Sequence, residues 1–101
     1  MRRNDILSLL KNGKTVFKYP VRATFEKGQG ELVFTVPKRN FKRAVKRNLL
    51  KRRMREAYRL NCVPLEGRSL NIFFFYAGQQ EESYDTIAKS IRAIISDLAA
   101  G

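Results

Sequence analysis

The feature that most constrains the fold is one strongly apolar stretch, residues 69–77, which contains the run from Ile72 to Tyr76. Its length suits a β-strand and is far below the roughly 18–20 apolar residues that cross a membrane. Its residues are apolar on both faces, so neighbouring elements must cover both faces. We therefore predict that residues 69–77 form the central strand of a sheet.

Two earlier stretches alternate with a period of two, which indicates further strands. In residues 15–25 the pattern sets Phe17, Tyr19, Val21, Ala23 and Phe25 on a covered face and Lys18, Arg22 and Thr24 on a basic face. Pro20 lacks an amide donor, so it indicates an edge strand or a break into two pieces. Residues 28–30 (Gly-Gln-Gly) predict a hairpin turn into a strand over 31–36, with Leu32, Phe34 and Val36 on one face.

Helical spacing occurs in residues 4–12, after Phe41, and in residues 84–100. In the first helix, Asn4 or Asp5 is the expected N-cap and Gly13 the stop signal. The last helix has Asp85 near its start and a core-facing stripe of Ile87, Ile91, Ile94, Ile95 and Leu98. The order helix, strands, helix, strand, helix predicts one domain over residues 1–101, a small two-layer α/β sandwich of the α+β class.

The charge balance points to an anionic partner. Twenty-one Lys and Arg against nine Asp and Glu give a net charge of +12, and a small domain with this surplus repels itself unless an anion neutralises it. The chain has no His and one Cys, Cys62, which excludes an internal disulfide and the usual zinc ligand sets. We expect Cys62 to be a half-buried structural residue. Without a signal-peptide pattern or an apolar span, the sequence predicts a cytoplasmic protein with no membrane partner.

A helical wheel divides the basic segment after Phe41 into two sides. Leu50, Met54, Ala57 and Tyr58 fall within an arc of about 100°, as a core-facing stripe does. The opposite side carries a cationic stripe, which we define as Asn48, Lys51, Arg52, Arg55 and Arg59. Val45, Leu49, Arg53 and Glu56 lie on the rim between the two sides. Arg47 falls at the margin of the core-facing side.

Three interpretations of the cationic stripe compete. A merely solvated helix face usually mixes charge signs, and a membrane-surface helix needs a broad exposed apolar face. Nucleic acid fits better, because rows of Arg and Lys neutralise phosphates and Asn48 can bond a base edge or a 2′-hydroxyl. Composition alone leaves open a structural RNA-binding protein of the ribosomal type.

The basic segment resembles the signature of the bacterial ribonuclease P protein. The resemblance rests on residues 34–39 (Phe-Thr-Val-Pro-Lys-Arg), 44–48 (Ala-Val-Lys-Arg-Asn), 51–52 (Lys-Arg) and 55–59 (Arg-Glu-Ala-Tyr-Arg). More loosely, Ile6, Leu9, Leu10, Lys11 and Gly13 resemble the family's first helix, and Ile72 to Tyr76 its last strand. Leu49 departs from the pattern, because the family usually has a second Arg there.

This resemblance implies a ribosomal-protein-like fold in the order helix, three strands, helix, strand, helix, with a left-handed βαβ crossover. It implies an endoribonuclease subunit that binds the catalytic RNA and the 5′ leader of precursor tRNA. The RNA carries the chemistry with Mg²⁺, so the protein has no expected catalytic or metal-binding residue and is inactive alone.

The predicted RNA-binding residues are the cations of the signature and their neighbours: Lys38, Arg39, Arg43, Lys46, Arg47, Asn48, Lys51, Arg52, Arg55 and Arg59. A leader cleft beside the sheet should combine cations with side chains that stack on single-stranded bases. Its candidates are Phe17, Lys18, Tyr19, Arg22, Thr24 and Thr35. For Phe17 and Tyr19, core packing is an equal alternative.

Overall fold

A computed structural model describes residues 3–100 and confirms the predicted order of elements. The elements are α1 (Arg3–Asn12), β1 (Lys14–Lys18), β2 (Val21–Lys27), β3 (Leu32–Thr35), α2 (Ala44–Asn61), a 3-10 turn (Val63–Leu65), β4 (Leu70–Tyr76) and α3 (Tyr84–Ala100). The backbone of Gly13 closes α1 by donating to the Leu9 carbonyl at 2.7 Å. The predicted N-cap was wrong, because α1 already begins at Arg3. Asn4 and Asp5 therefore lie inside its first turn.

The four strands form one sheet in the order β1-β2-β4-β3, so β4 is central as predicted. Both of its edges are hydrogen-bonded, antiparallel to β2 and parallel to β3. Because β3 and β4 are parallel neighbours joined through α2, the chain contains the βαβ connection that the resemblance implies. Its left-handed sense stays a prediction.

The predicted hairpin between β2 and β3 was wrong, because residues 28–31 cross the start of β4 and deliver β3 to its far edge. The side chain of Asn71 holds this crossing by accepting hydrogen bonds from the backbones of Gln29 and Glu31, both at 3.0 Å. A Cβ on Gly28 would lie 2.1 Å from the Asn71 amide nitrogen, so a larger residue would displace the Asn71 side chain from these two hydrogen bonds. Gly28 therefore serves the crossing, and residues 28–30 do not form a hairpin turn.

One face of the sheet is covered by α2 and α3 and holds the hydrophobic core. The strands contribute Val21, Ala23, Ile72, Phe74 and Tyr76, and the helices Leu50, Met54, Ala57, Ile87, Ile91, Ile94, Ile95 and Leu98. All five predicted core residues of α3 are thus confirmed. Ser83 caps the N-terminus of α3, since its hydroxyl accepts a hydrogen bond from the Thr86 amide at 3.3 Å. Of the described helices, none is long and apolar enough to cross a membrane.

The other side of the sheet we call the open face. By strand register it carries Thr15, Phe17, Arg22, Thr24, Val33, Thr35, Phe73 and Phe75. The first helix contacts β2 and β4, and its Leu9 is fully buried outside the core cluster. Thr24 is also buried. We infer that α1 packs against part of the open face and leaves the rest uncovered.

The break predicted at Pro20 is confirmed, but it shifts the alternation by one residue. Residues 19 and 20 form a turn, and Val16, rather than Phe17, packs towards the core. Lys18 pairs in register with Val21, so it lies on the side of α3, where its Nζ is 3.3 Å from Asp97. The predicted shared faces of Phe17 with Val21, and of Lys18 with Arg22, were therefore wrong.

Candidate nucleic-acid interface

The second helix is amphipathic in the predicted sense. Leu50, Met54 and Ala57 are fully buried against the sheet and α3. Tyr58 is half-buried, with its ring in edge contact with Phe74 at 5.6 Å between centroids. The opposite side of α2 is therefore fixed towards solvent.

The cationic stripe lies on that solvent side as one continuous surface. Asn48, Arg52, Arg55 and Arg59 are exposed and Lys51 is half-buried. Only Arg59 forms an ion pair among the described side chains of the stripe, with Glu56 at 2.5 Å, and this contact lowers the pKa of the Glu56 carboxyl. The guanidinium of Arg55 lies 5.8 Å from the centre of the Phe34 ring. Charges of one sign at helical spacing repel, so an anion bound along the stripe would relieve this repulsion.

A second group of cations surrounds the start of α2. Lys38, Arg39, Lys42 and Arg43 are exposed in the segment that joins β3 to α2. Phe41 anchors this segment, because it is buried and packs edge-on against Tyr76 at 5.6 Å. The first turn of α2 contains no acidic residue and Arg43 provides no side-chain cap, so the positive helix end is open to an anion. Lys42 was missed by the sequence predictions, although it lies in the same basic run as Arg43.

Besides Arg59, two predicted RNA-binding residues have partners within the protein. Arg47 donates from one guanidinium nitrogen to the carbonyls of Phe41 and Lys42, at 2.8 and 2.9 Å. It therefore secures the segment before α2, in agreement with its predicted margin position. Lys46 lies 3.8 Å from the carboxylate of Glu81, in the loop between β4 and α3.

The leader-cleft candidates are divided between three places. Phe17, Arg22, Thr24 and Thr35 share the open face, where the Arg22 guanidinium lies 4.7 Å from the centre of the Phe75 ring. Tyr19 lies in the turn after β1, and Lys18 lies on the side of α3. Phe17 and Tyr19 are 55% and 56% exposed, so neither packs in the core.

Two aromatic residues of the open face were missed by the sequence predictions. Phe73 and Phe75 are half-buried and lie in register with Thr24 and Arg22 of β2. The signal was present in the apolar run of β4, whose alternate residues must point away from the core. Together with Phe17 and Arg22, they form a cationic and aromatic surface.

Tyr19 and Cys62 have local environments that the structure specifies. The Tyr19 hydroxyl donates to the Glu82 carboxylate at 3.0 Å, and this hydrogen bond raises the pKa of Tyr19. Cys62 is half-buried as predicted, with its thiol 3.6 Å from the Arg59 carbonyl. Among the described residues there is no group of three or more His, Cys, Asp or Glu side chains that could hold a metal ion.

Solved structures with the same fold include two ribonuclease P proteins. The protein from Staphylococcus aureus has a TM-score of 0.81 at 17% identity, with 97% of this chain and 92% of that chain covered. The protein from Thermotoga maritima has a TM-score of 0.81 at 22% identity, with coverage of 96% and 94%. These similarities confirm the predicted fold.

Sequence comparison gives the same family. The ribonuclease P protein components of two Porphyromonas gingivalis strains are each 40% identical over a 65-residue alignment that covers 58% of this chain. The match spans about half of those relatives, 47% of their length. The family model for ribonuclease P matches residues 1–99. Since that match includes nearly all of the 101 residues, the chain belongs to the ribonuclease P protein family.

Proposed function

We propose that this chain is the protein subunit of bacterial ribonuclease P, which assists the endonucleolytic removal of the 5′ leader from precursor tRNA. The observation that carries the proposal is the cationic stripe of α2, which faces solvent with Lys51, Arg52 and Arg55 free of ion pairs among the described side chains. In a member of this family, the expected anion is RNA.

The stripe is proposed to bind the catalytic RNA. Lys51, Arg52, Arg55 and Arg59 would neutralise phosphates, and Asn48 would bond a base edge or a 2′-hydroxyl. Lys38, Arg39 and Arg43 would extend this contact around the start of α2. Arg47 supports the contact by holding the connecting segment in place.

The open face is proposed to bind the 5′ leader. Single-stranded RNA binds to surfaces that combine aromatic rings for base stacking with cations for the backbone. Phe17, Phe75 and Arg22 supply this combination, and α1 closes one side of the surface. Such a surface tolerates any base, because every base has a flat π-face.

In this proposal the RNA subunit performs the hydrolysis and binds Mg²⁺ together with the substrate. The protein contributes charge neutralisation and orientation, and alone it should not cleave precursor tRNA. Its action in the cytoplasm also stays a prediction.

The main alternative is a structural RNA-binding protein of the ribosomal type with no processing role. A pull-down with the tagged protein separates the two functions. The proposal expects recovery of ribonuclease P RNA, whereas recovery of ribosomal RNA without ribonuclease P RNA would reject it. A protein with Lys51, Arg52 and Arg55 changed to alanine should recover neither ribonuclease P RNA nor ribosomal RNA above the level of an untagged control.

A further inference from the structure

The loop between β4 and α3 brings negative charge to the flank of the basic helix. This loop, residues 77–83, is clamped by Tyr76, whose hydroxyl donates to the Gln80 carbonyl at 2.6 Å and accepts from the Glu82 amide at 3.0 Å. The position of Glu81 between these two bonds is therefore fixed by the fold.

Glu81 forms ion pairs with two cations of α2. One carboxylate oxygen lies 3.8 Å from the Lys46 Nζ, and the other lies 3.4 Å from a guanidinium nitrogen of Arg53. The same nitrogen of Arg53 donates to the Glu82 carbonyl at 2.7 Å. Lys46 and Arg53 are seven residues apart, so they lie two turns apart on one flank of the helix.

Among the described side chains, the surface between this flank and the cationic stripe carries no unpaired cation. Val45 is 79% exposed, Leu49 is half-buried, and Glu56 is paired with Arg59. Unpaired positive charge is thus concentrated on one side of α2, and the other side is apolar, acidic or ion-paired.

We propose that Glu81 sets the edge of the RNA-binding surface and acts as a specificity determinant. Its carboxylate pairs with Lys46 and Arg53 in the free protein, so that these three side chains carry a net charge of only +1, and it weakens the attraction of phosphate to the loop side of α2. RNA whose backbone fits the cationic stripe avoids this charge, whereas RNA placed across the loop side does not. The inference rests on the proposed function, because it assumes that the stripe binds RNA.

The test compares Glu81→Gln with Glu82→Gln. Both remove one negative charge from the same loop, but the Glu82 carboxylate bonds Tyr19 and forms no ion pair with α2 among the described side chains. Binding of ribonuclease P RNA and of an unrelated RNA duplex would be titrated across a series of salt concentrations. Urea unfolding of each variant checks that the fold is retained.

Glu81→Gln should tighten binding of the unrelated duplex by roughly 3- to 10-fold and steepen its log-log salt dependence by about 0.9, the value for one added phosphate contact. Glu81→Gln should tighten binding of ribonuclease P RNA by less than about twofold, so that discrimination between the two RNAs falls. Glu82→Gln should change the affinity for either RNA by less than about twofold. An equal gain for both RNAs, no gain, or the same gain in Glu82→Gln would overturn the inference.

Lys46→Ala provides a second measurement. It should leave the salt dependence for the unrelated duplex nearly unchanged in the natural protein, and lower it by about 0.9 in the Glu81→Gln background. Equal effects in both backgrounds would show that the ion pair with Glu81 does not keep Lys46 from contacting RNA. If the natural protein binds neither RNA, the proposed function itself fails, which is distinguishable from failure of this inference.

Discussion

At the scale of single residues, Arg47 and Arg52 carry the same charge five positions apart on α2 but have different surroundings. Arg47 is half-buried and bonds the carbonyls of Phe41 and Lys42, whereas Arg52 is exposed on the cationic stripe. The signature in the sequence includes both residues and cannot separate these roles, because it does not show which backbone carbonyls lie within hydrogen-bonding distance of each side chain.

We expect Arg52→Ala to weaken binding to ribonuclease P RNA and to lower its log-log salt dependence by about one unit, with little effect on stability. Arg47→Ala should also weaken RNA binding, and it should lower the free energy of unfolding by about 1–2 kcal/mol, because two bonds from a charged donor are lost. Urea unfolding and salt-dependent titrations measure both effects, with Arg92→Ala on the exposed surface of α3 as a charge-matched control. Unchanged salt dependence in Arg52→Ala would mean that the stripe does not meet RNA.

The raised pKa of Tyr76 predicts that the stability of the fold depends on pH. Burial raises the pKa of Tyr76 to about 12, against about 10 in an unfolded chain. Between these values the unfolded state has lost a proton that the folded state retains. The contribution of Tyr76 to the free energy of unfolding should therefore be fully present below about pH 10 and be lost towards about pH 12. Urea unfolding across this range should show the fall, and Tyr76→Phe should reduce it. An equally steep fall in Tyr76→Phe would assign the effect to other tyrosines, such as Tyr58, whose pKa burial also raises.

At the scale of elements, patterns within one segment predicted the helices and the central strand well. Residues 84–100 form α3 as predicted, and β4 is central because its residues are apolar on both faces. Two predictions failed where the geometry depends on a turn or on a tertiary contact that the alternation of residues does not show. The turn at Pro20 changed which residues of β1 face the core, and Asn71 directs residues 28–31 across β4 rather than into a hairpin.

The corrected faces of the sheet give a paired prediction. Arg22 and Lys18 belong to the same antiparallel pair of strands, but Arg22 lies on the open face and Lys18 pairs with Asp97 on the side of α3. Arg22→Ala should weaken binding of precursor tRNA to the reconstituted ribonucleoprotein by about tenfold, since a stacking and phosphate contact is lost. Lys18→Ala should have little effect, and neither change should alter binding of mature tRNA, which lacks the leader. Equal losses for precursor and mature tRNA in Arg22→Ala would place the leader elsewhere.

At the scale of the whole molecule, a net charge of +12 is divided into distinct regions. The cationic stripe and the segment before α2 form one region, and Arg22 with the aromatic residues of the open face forms another. Composition predicted the anionic partner and the helical wheel predicted the stripe. The ion pairs of Glu81 could not be predicted, because Glu81 is 28 or more residues from Arg53 and Lys46 in the sequence and approaches them only through the tertiary fold.

The most direct test of the proposed function is the cleavage of precursor tRNA by the protein, by the ribonuclease P RNA and by both together. It should be performed at a magnesium concentration too low for the RNA alone. We predict no cleavage by the protein alone and restored removal of the 5′ leader when both subunits are present, because the protein supplies charge neutralisation that magnesium otherwise provides. Cleavage by the protein alone, or no stimulation of the RNA, would contradict the proposed function.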